Sequence, residues 1–148
     1  MILISSCLAG EAVRYDGAHC LHQSLKKLLE EGKAVMACPE VMGGLSIPRE
    51  PAEIIGGDGG DVLAGQAKVV TKSGKDVTEE FINGAYRMLE KAQQVNATVV
   101  VLKENSPSCG SHMIYNGEFA GKKIAGDGVT AALLKQHGFR VVSEIDTI

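Results

Sequence analysis

Residues 98–102 read Thr-Val-Val-Val-Leu, and no other stretch restricts the fold as tightly. β-Branched side chains are stiff at χ1 and suit an extended backbone. A run with no polar alternation leaves no face for water, so this strand is expected to be covered on both sides, as in a parallel sheet between helices. Parallel neighbours need crossover connections, and the chain supplies strand and helix signals in alternation. Short apolar runs at Ile2–Ser5, Ala34–Ala37 and Arg140–Ser143 read as further strands. Leu21, Leu25, Leu28 and Leu29 share one helical face ahead of Gly32, which stops the helix. Val77, Phe81, Ala85, Met88, Leu89 and Ala92 form a longer stripe, with Asp76 and Glu79 at capping-box spacing. A last helix spans Val129 to His137, with Asp127 as N-cap and Gly138 beyond its end. Between the second strand and the long helix lies a loop-rich insert through Gly56–Gly60, then a hairpin pairing Ala67–Thr71 with Lys75–Val77 around Ser73-Gly74. At 148 residues the chain suits one domain. The expectation is an α/β, three-layer Rossmann-like single domain over 1–148, with a mostly parallel sheet and a small hairpin-containing insert.

Composition excludes several classes. Lys and Arg number 15 against 18 Asp and Glu, a net charge of −3 without a basic run, so stable nucleic-acid binding is not expected. Aromatics are 4% with no Trp, which leaves no stacking platform of the kind single-strand binders use. No apolar run is long enough to span a bilayer, and Met1–Ile4 has neither a basic n-region nor a long h-region. A cytoplasmic location follows as the expectation, with no membrane partner; oligomeric state is not legible. In a reducing compartment Cys7, Cys20, Cys38 and Cys109 do not make a disulfide framework.

Three of these cysteines follow strands. Cys7 comes after the first, Cys38 after the second and Cys109 in the loop after Val99–Leu102. Open parallel sheets build their sites at the carboxyl ends of strands, so thiols dispersed in sequence are expected to converge there. One such cysteine reads as a small buried hydrophobe; three at equivalent positions read as a site. Structural zinc sites favour close C-x-x-C pairs, and none is present. Three thiolates suit an iron–sulfur cluster with one iron lacking a protein ligand, an open position for a soft atom. Cys20, within His19-Cys20-Leu21-His22, opens the first helix and reads as a spectator; as a fourth ligand it would close the open iron and turn the site toward electron transfer or sensing.

The residues around the thiols narrow the reading. Ser5-Ser6-Cys7-Leu8-Ala9-Gly10 leads into Val13-Arg14-Tyr15-Asp16-Gly17; Cys38-Pro39-Glu40-Val41-Met42-Gly43-Gly44-Leu45 leads into Pro48-Arg49-Glu50-Pro51; and Lys103-Glu104-Asn105-Ser106-Pro107-Ser108-Cys109-Gly110 closes the set. In this order, and continuing through Tyr115-Asn116-Gly117 and Gly126-Asp127-Gly128-Val129-Thr130, the chain resembles the thiouracil desulfurase-like family. The resemblance implies a 4Fe-4S cluster on Cys7, Cys38 and Cys109. Its fourth iron would take sulfur from a small-molecule thiolated pyrimidine base such as 2-thiouracil. It also implies catalytic roles for Glu40 and Ser106: sulfur leaves without redox chemistry, water attacks the ring carbon and these two residues move protons.

Apart from the family, a thiocarbonyl carbon becomes more electrophilic when its sulfur meets a soft metal, and a nearby carboxylate can serve as base toward water. Read alone, Glu40 is a solvated loop residue, and Ser106, before Pro107, is equally a turn residue. Arg14 and Arg49 suit either the polar edge of a substrate or ion pairs with Asp16 and Glu50. The last helix's N-terminus could receive an anion at Asp127-Gly128, although capping alone explains those residues. His112, just past Cys109, reads as incidental. Gly56–Gly60 lacks the Gly-Lys-Ser/Thr ending of a phosphate loop. Two other classes accommodate the same thiols: a metal-free thiol enzyme with one nucleophilic cysteine activated by His112 or a helix N-terminus, and a non-catalytic zinc or iron–sulfur redox-sensing module.

Overall fold

The computed structural model describes residues 1–5, 23–46 and 50–143. Four short strands, β1 (Ile2–Ser5), β2 (Ala34–Ala37), β5 (Val99–Leu102) and β8 (Val141–Ser143), form one sheet in the order β2-β1-β5-β8, every pair parallel. The valine run of β5 is buried at all four positions, as its composition requires. Helix α1 (Gln23–Glu30) packs Leu28 and Leu29 against Ile4, Val99, Val101 and Val142 on one face of the sheet. On the other face, α4 (Thr78–Gln94) and α5 (Val129–Gln136) bury Phe81, Ala85, Met88, Leu133 and Leu134 against Leu3, Val100 and Leu102. Each large side chain removed from water in this way contributes about 1.5–3 kcal/mol before its entropic cost. Helix, sheet and helices thus make three layers around the parallel sheet. No helix among the described residues is long and apolar enough to cross a membrane.

The insert differs from its sequence reading. Lys68–Thr71 (β4) pairs with Ala52–Ile55 (β3) in antiparallel register, not with 75–77, which keep only an isolated bridge from Val70 to Asp76. The reason lies in Asp76 and Thr78. Asp76 Oδ1 accepts the Thr78 amide, while Thr78 Oγ1 accepts the Val69 amide. Residues 75–77 therefore turn into α4 instead of continuing as a strand, and the N-cap of α4 is Val77. The glycine-rich loop also holds a short helix, α3 (Gly59–Leu63), whose N-cap Asp58 accepts the Asp61 amide while the Asp61 carboxyl accepts that of Asp58. A second hairpin, β6 (Met113–Tyr115) with β7 (Lys123–Ala125), has no strong sequence signal because its strands are only three residues long. The N-cap of α5 is Gly128, not Asp127, whose carboxyl pairs with Lys135.

Candidate active site

The chain crosses from β1 to β2 on one side and later to β5 on the other, which makes the crevice beyond β1 and β5 the topological switch point. A cavity of about 590 Å³ opens there, lined by Ser5 from β1, Cys38 and Glu40 after β2, and Ser106 and Cys109 after β5. Its size lies within the ~300–1,000 Å³ span of small-molecule sites.

Two arms bring the chemistry in. The first begins where β2 runs into Cys38, the extended N-cap of the short helix α2 (Pro39–Met42). Pro39 at the first helical position is preorganised for that turn, and it sets Glu40 one residue beyond. Gly84 of α4 lets this turn sit directly on the long helix, since a Cβ there would overlap the Pro39 carbonyl. Cys38 and Glu40 are half-buried.

The second arm runs from Lys103 to Gly110. Asn105 takes a left-handed backbone, φ 70, which Asn tolerates better than most residues. Ser106 follows, and its hydroxyl has three partners. Oγ accepts the amides of Ser108 at 3.1 Å and Cys109 at 3.2 Å and donates to Glu40 Oε1 at 3.1 Å. A serine oxygen has two acceptor sites and one proton; with both acceptor sites taken by amides, the proton points at Glu40. Ser106 is thus both a turn residue and one half of a Ser–Glu pair that joins the two arms across the cavity. Cys109 is 4% exposed.

Within this arm Glu104, part of the third cysteine motif but without a role read from the sequence, is only 6% exposed. Its Oε1 accepts the amides of Ser111, His112 and Met113, each at 3.0 Å, and that of Asn105 at 3.4 Å. Burial works to raise its pKa, but the Met113, His112 and Asn105 amides and the Ser143 side chain favour the ionised form, and the balance holds the carboxyl below its ordinary value. The loop is also fixed from above. The Val129 amide donates to the Pro107 carbonyl, the Thr130 and Ala131 amides to that of Ser108, and the Ser108 and Thr130 hydroxyls lie 2.8 Å apart. These bonds occupy the first amides of α5, so its N-terminus serves the cysteine loop, not an anion. Gly128 is required at this junction because a Cβ would overlap the backbone of Ser108.

Of the sequence-predicted residues, Cys38, Glu40, Ser106 and Cys109 come together around one cavity. Cys7, Arg14, Cys20 and Arg49 lie outside the described residues; Ser5, two positions before Cys7, lines the cavity. Glu50, the ion-pair partner considered for Arg49, accepts the Ser73 amide and hydroxyl. His112 is exposed and gives its amide to Glu104; it is not among the described residues lining the cavity. Glu53, also on the cavity wall and only 8% exposed, had no sequence signal beyond an acidic residue in an apolar run.

The sequence of residues 2–146 matches that of the 2-thiouracil desulfurases. The chain belongs to the 2-thiouracil desulfurase family. Among its relatives, the uncharacterized protein YbbK of Bacillus subtilis (strain 168) is 64% identical over 144 residues, covering 97% of this chain and 95% of that one. A solved structure of the 4Fe-4S-dependent thiouracil desulfidase TudS is 47% identical and superposes with a TM-score of 0.85, covering 97% of this chain and 89% of the other. The family is thus one of sulfur-removing enzymes, and its parallel-sheet fold is the one found here.

Proposed function

We propose that residues 1–148 form a single iron–sulfur-binding α/β domain that removes sulfur, without redox chemistry, from a small-molecule thiolated pyrimidine base such as 2-thiouracil. The observation that carries the reading is the Ser106–Glu40 hydrogen bond, made between two cysteine-bearing loops on one cavity. The donor set suits a cluster: Cys38 and Cys109 line the cavity together with Ser5, two positions before Cys7. Cys7, Cys38 and Cys109 would hold a 4Fe-4S cluster. Bound there, the cluster supplies a soft Lewis-acid position that withdraws electron density from a thiocarbonyl through its sulfur.

The chain's own groups account for the remaining chemistry. Glu40 is placed to take a proton from water as the water oxygen bonds to the ring carbon. Ser106, whose proton points at Glu40 before reaction, has its oxygen stabilised by the two amides donating into Oγ, as in an oxyanion hole. Once Glu40 has taken the water proton it donates to Oγ in place of accepting from it, and the Ser106 proton turns to the departing sulfur. The carbon–sulfur bond breaks, a carbon–oxygen bond replaces it, and sulfur leaves as sulfide. Neither an oxidant nor a reductant is consumed.

Anaerobic reconstitution with iron and sulfide, followed by sulfide release from 2-thiouracil, tests the assignment. Cys7→Ala, Cys38→Ala and Cys109→Ala are expected to lose both bound iron and activity, while Cys20→Ala stays near wild type. Glu40→Gln and Ser106→Ala should keep their iron and lose about 10²–10⁴-fold in rate, the usual contribution of positioned proton transfer. Uniform tolerance of the cysteine changes, or zinc without iron in the purified protein, overturns it.

A further inference from the structure

Part of the cavity wall is supplied by the hairpin of β6 and β7, through Tyr115, Phe119 and Gly121, and a buried carboxyl holds its turn. Glu53 lies on β3, 8% exposed, and its Oε1 accepts the Gly117 amide at 2.9 Å and the Phe119 amide at 3.2 Å. Phe119 has φ 55, a left-handed conformation that a bulky side chain rarely adopts without an enforcing contact. The enforced residue lines the cavity. The sequence has three Phe, three Tyr and no Trp, yet Phe81, Tyr115 and Phe119 all line this one space. Such a concentration in an aromatic-poor chain suits a flat ring, and the strained member of the set is the one Glu53 secures.

We propose that Glu53 is a positioning residue for substrate. By holding the Gly117 and Phe119 amides on one oxygen, it keeps Phe119 where its ring can lie against the pyrimidine ring. Phe119 is then a specificity-determining contact for planar, aromatic thio-compounds over open-chain thioamides. The inference rests on the desulfuration reading above and adds to it a substrate-facing role for the insert, which carries no cysteine in its described part.

The test uses the reconstituted enzyme with three variants, each checked first for wild-type iron and sulfide content. Glu53→Ala releases both amides and should raise KM for 2-thiouracil about tenfold while kcat changes less than about threefold, the pattern of a lost binding contact with intact chemistry. Glu53→Gln retains a carbonyl oxygen for the same two amides and should stay within about threefold of wild-type KM. Phe119→Asn keeps a residue that accepts positive φ but removes the ring, and should raise KM as much as Glu53→Ala. The double variant should be no worse than either single change, because both act through one contact. Hydrogen exchange gives an independent readout: the 116–121 amides should exchange faster in Glu53→Ala and not in Glu53→Gln. An active wild type with unchanged KM in Glu53→Ala and Phe119→Asn overturns the positioning role while leaving desulfuration standing. A wild type that carries iron but releases no sulfide overturns both.

Discussion

The two arms of the site reach the same cavity by different physical means. The Cys38–Glu40 arm is seated by shape: a proline-led turn of one short helix rests on α4 where Gly84 leaves room for the Pro39 carbonyl. The Lys103–Gly110 arm is seated by hydrogen bonds. Glu104 gathers four amides below it, the first amides of α5 meet the Pro107 and Ser108 carbonyls above it, and Ser106 closes the turn from within. Steric seating tolerates changes of charge and fails when volume is added; polar seating fails when an acceptor is removed. The Ser106–Glu40 bond spans the two regimes, so a displacement of either arm should be felt in proton transfer.

Removing the acceptor at the base of the polar arm should give the largest stability effect. Glu104→Ala leaves several buried donors without a partner and is expected to cost about 3 kcal/mol in chemical denaturation; Glu104→Gln, which keeps one acceptor oxygen, should cost roughly half of that. The sign of the pH dependence follows from the lowered folded-state pKa of Glu104. A depressed carboxyl stabilises the fold fully above its unfolded pKa, about 4.3, and loses that contribution as pH falls through the lower folded value. The gap in stability between wild type and Glu104→Gln should therefore be widest near neutrality and narrow below about pH 4. A gap that stays constant from neutrality to acid would show that the charge of Glu104 does not hold the loop.

The contrast between the arms also explains what was legible in the sequence. The sheet was readable because the valine run of β5 and the apolar stretches of β1, β2 and β8 carry their burial in composition, and the meeting of Cys38 and Cys109 on one cavity was legible from their positions after two of its strands. Cys38, Glu40, Ser106 and Cys109 could be named because family motifs mark them. Neither Glu104, set between Lys103 and Asn105, nor Glu53, in the apolar run Ala52–Ile55, was legible as an anchor, since an acidic residue does not say which distant amides it will accept: residues 111–113 for one, 117 and 119 for the other. The β3–β4 pairing was missed for a related reason. The Ser73-Gly74 turn gave a strong local hairpin signal, and the side chains of Asp76 and Thr78 redirected those residues into α4.

The shape-seated arm breaks by addition of volume. Gly84→Ala places a methyl group against the backbone of Pro39, and overpacking of this kind costs about 1–3 kcal/mol, against a small gain in helix propensity. Because Pro39 is flanked by Cys38 and Glu40, the variant should lose activity beyond what its stability loss explains, with iron content reduced in parallel. Full activity at wild-type iron loading would mean that the α2 turn can shift without moving Cys38, and the steric account of this arm would be wrong.

The smallest effect is expected at the outer edge of the polar arm. Lys135 Nζ lies 2.6 Å from Asp127 Oδ1 and donates to the Ser111 carbonyl at 2.9 Å, tying α5 to the loop that Glu104 holds from inside. Both side chains are partly exposed, 38% for Lys135 and 29% for Asp127, so the pair is screened by solvent and is expected to contribute no more than about 1 kcal/mol. Asp127→Asn should lower stability by less than that, with the difference shrinking as salt is raised. It should leave KM and kcat unchanged, because the buried bonds from Glu104 and from the α5 amides already fix the cysteine loop. A large activity loss in Asp127→Asn would shift the source of the arm's rigidity from those buried acceptors to its surface charge pair, and would predict salt-sensitive turnover in the wild-type enzyme.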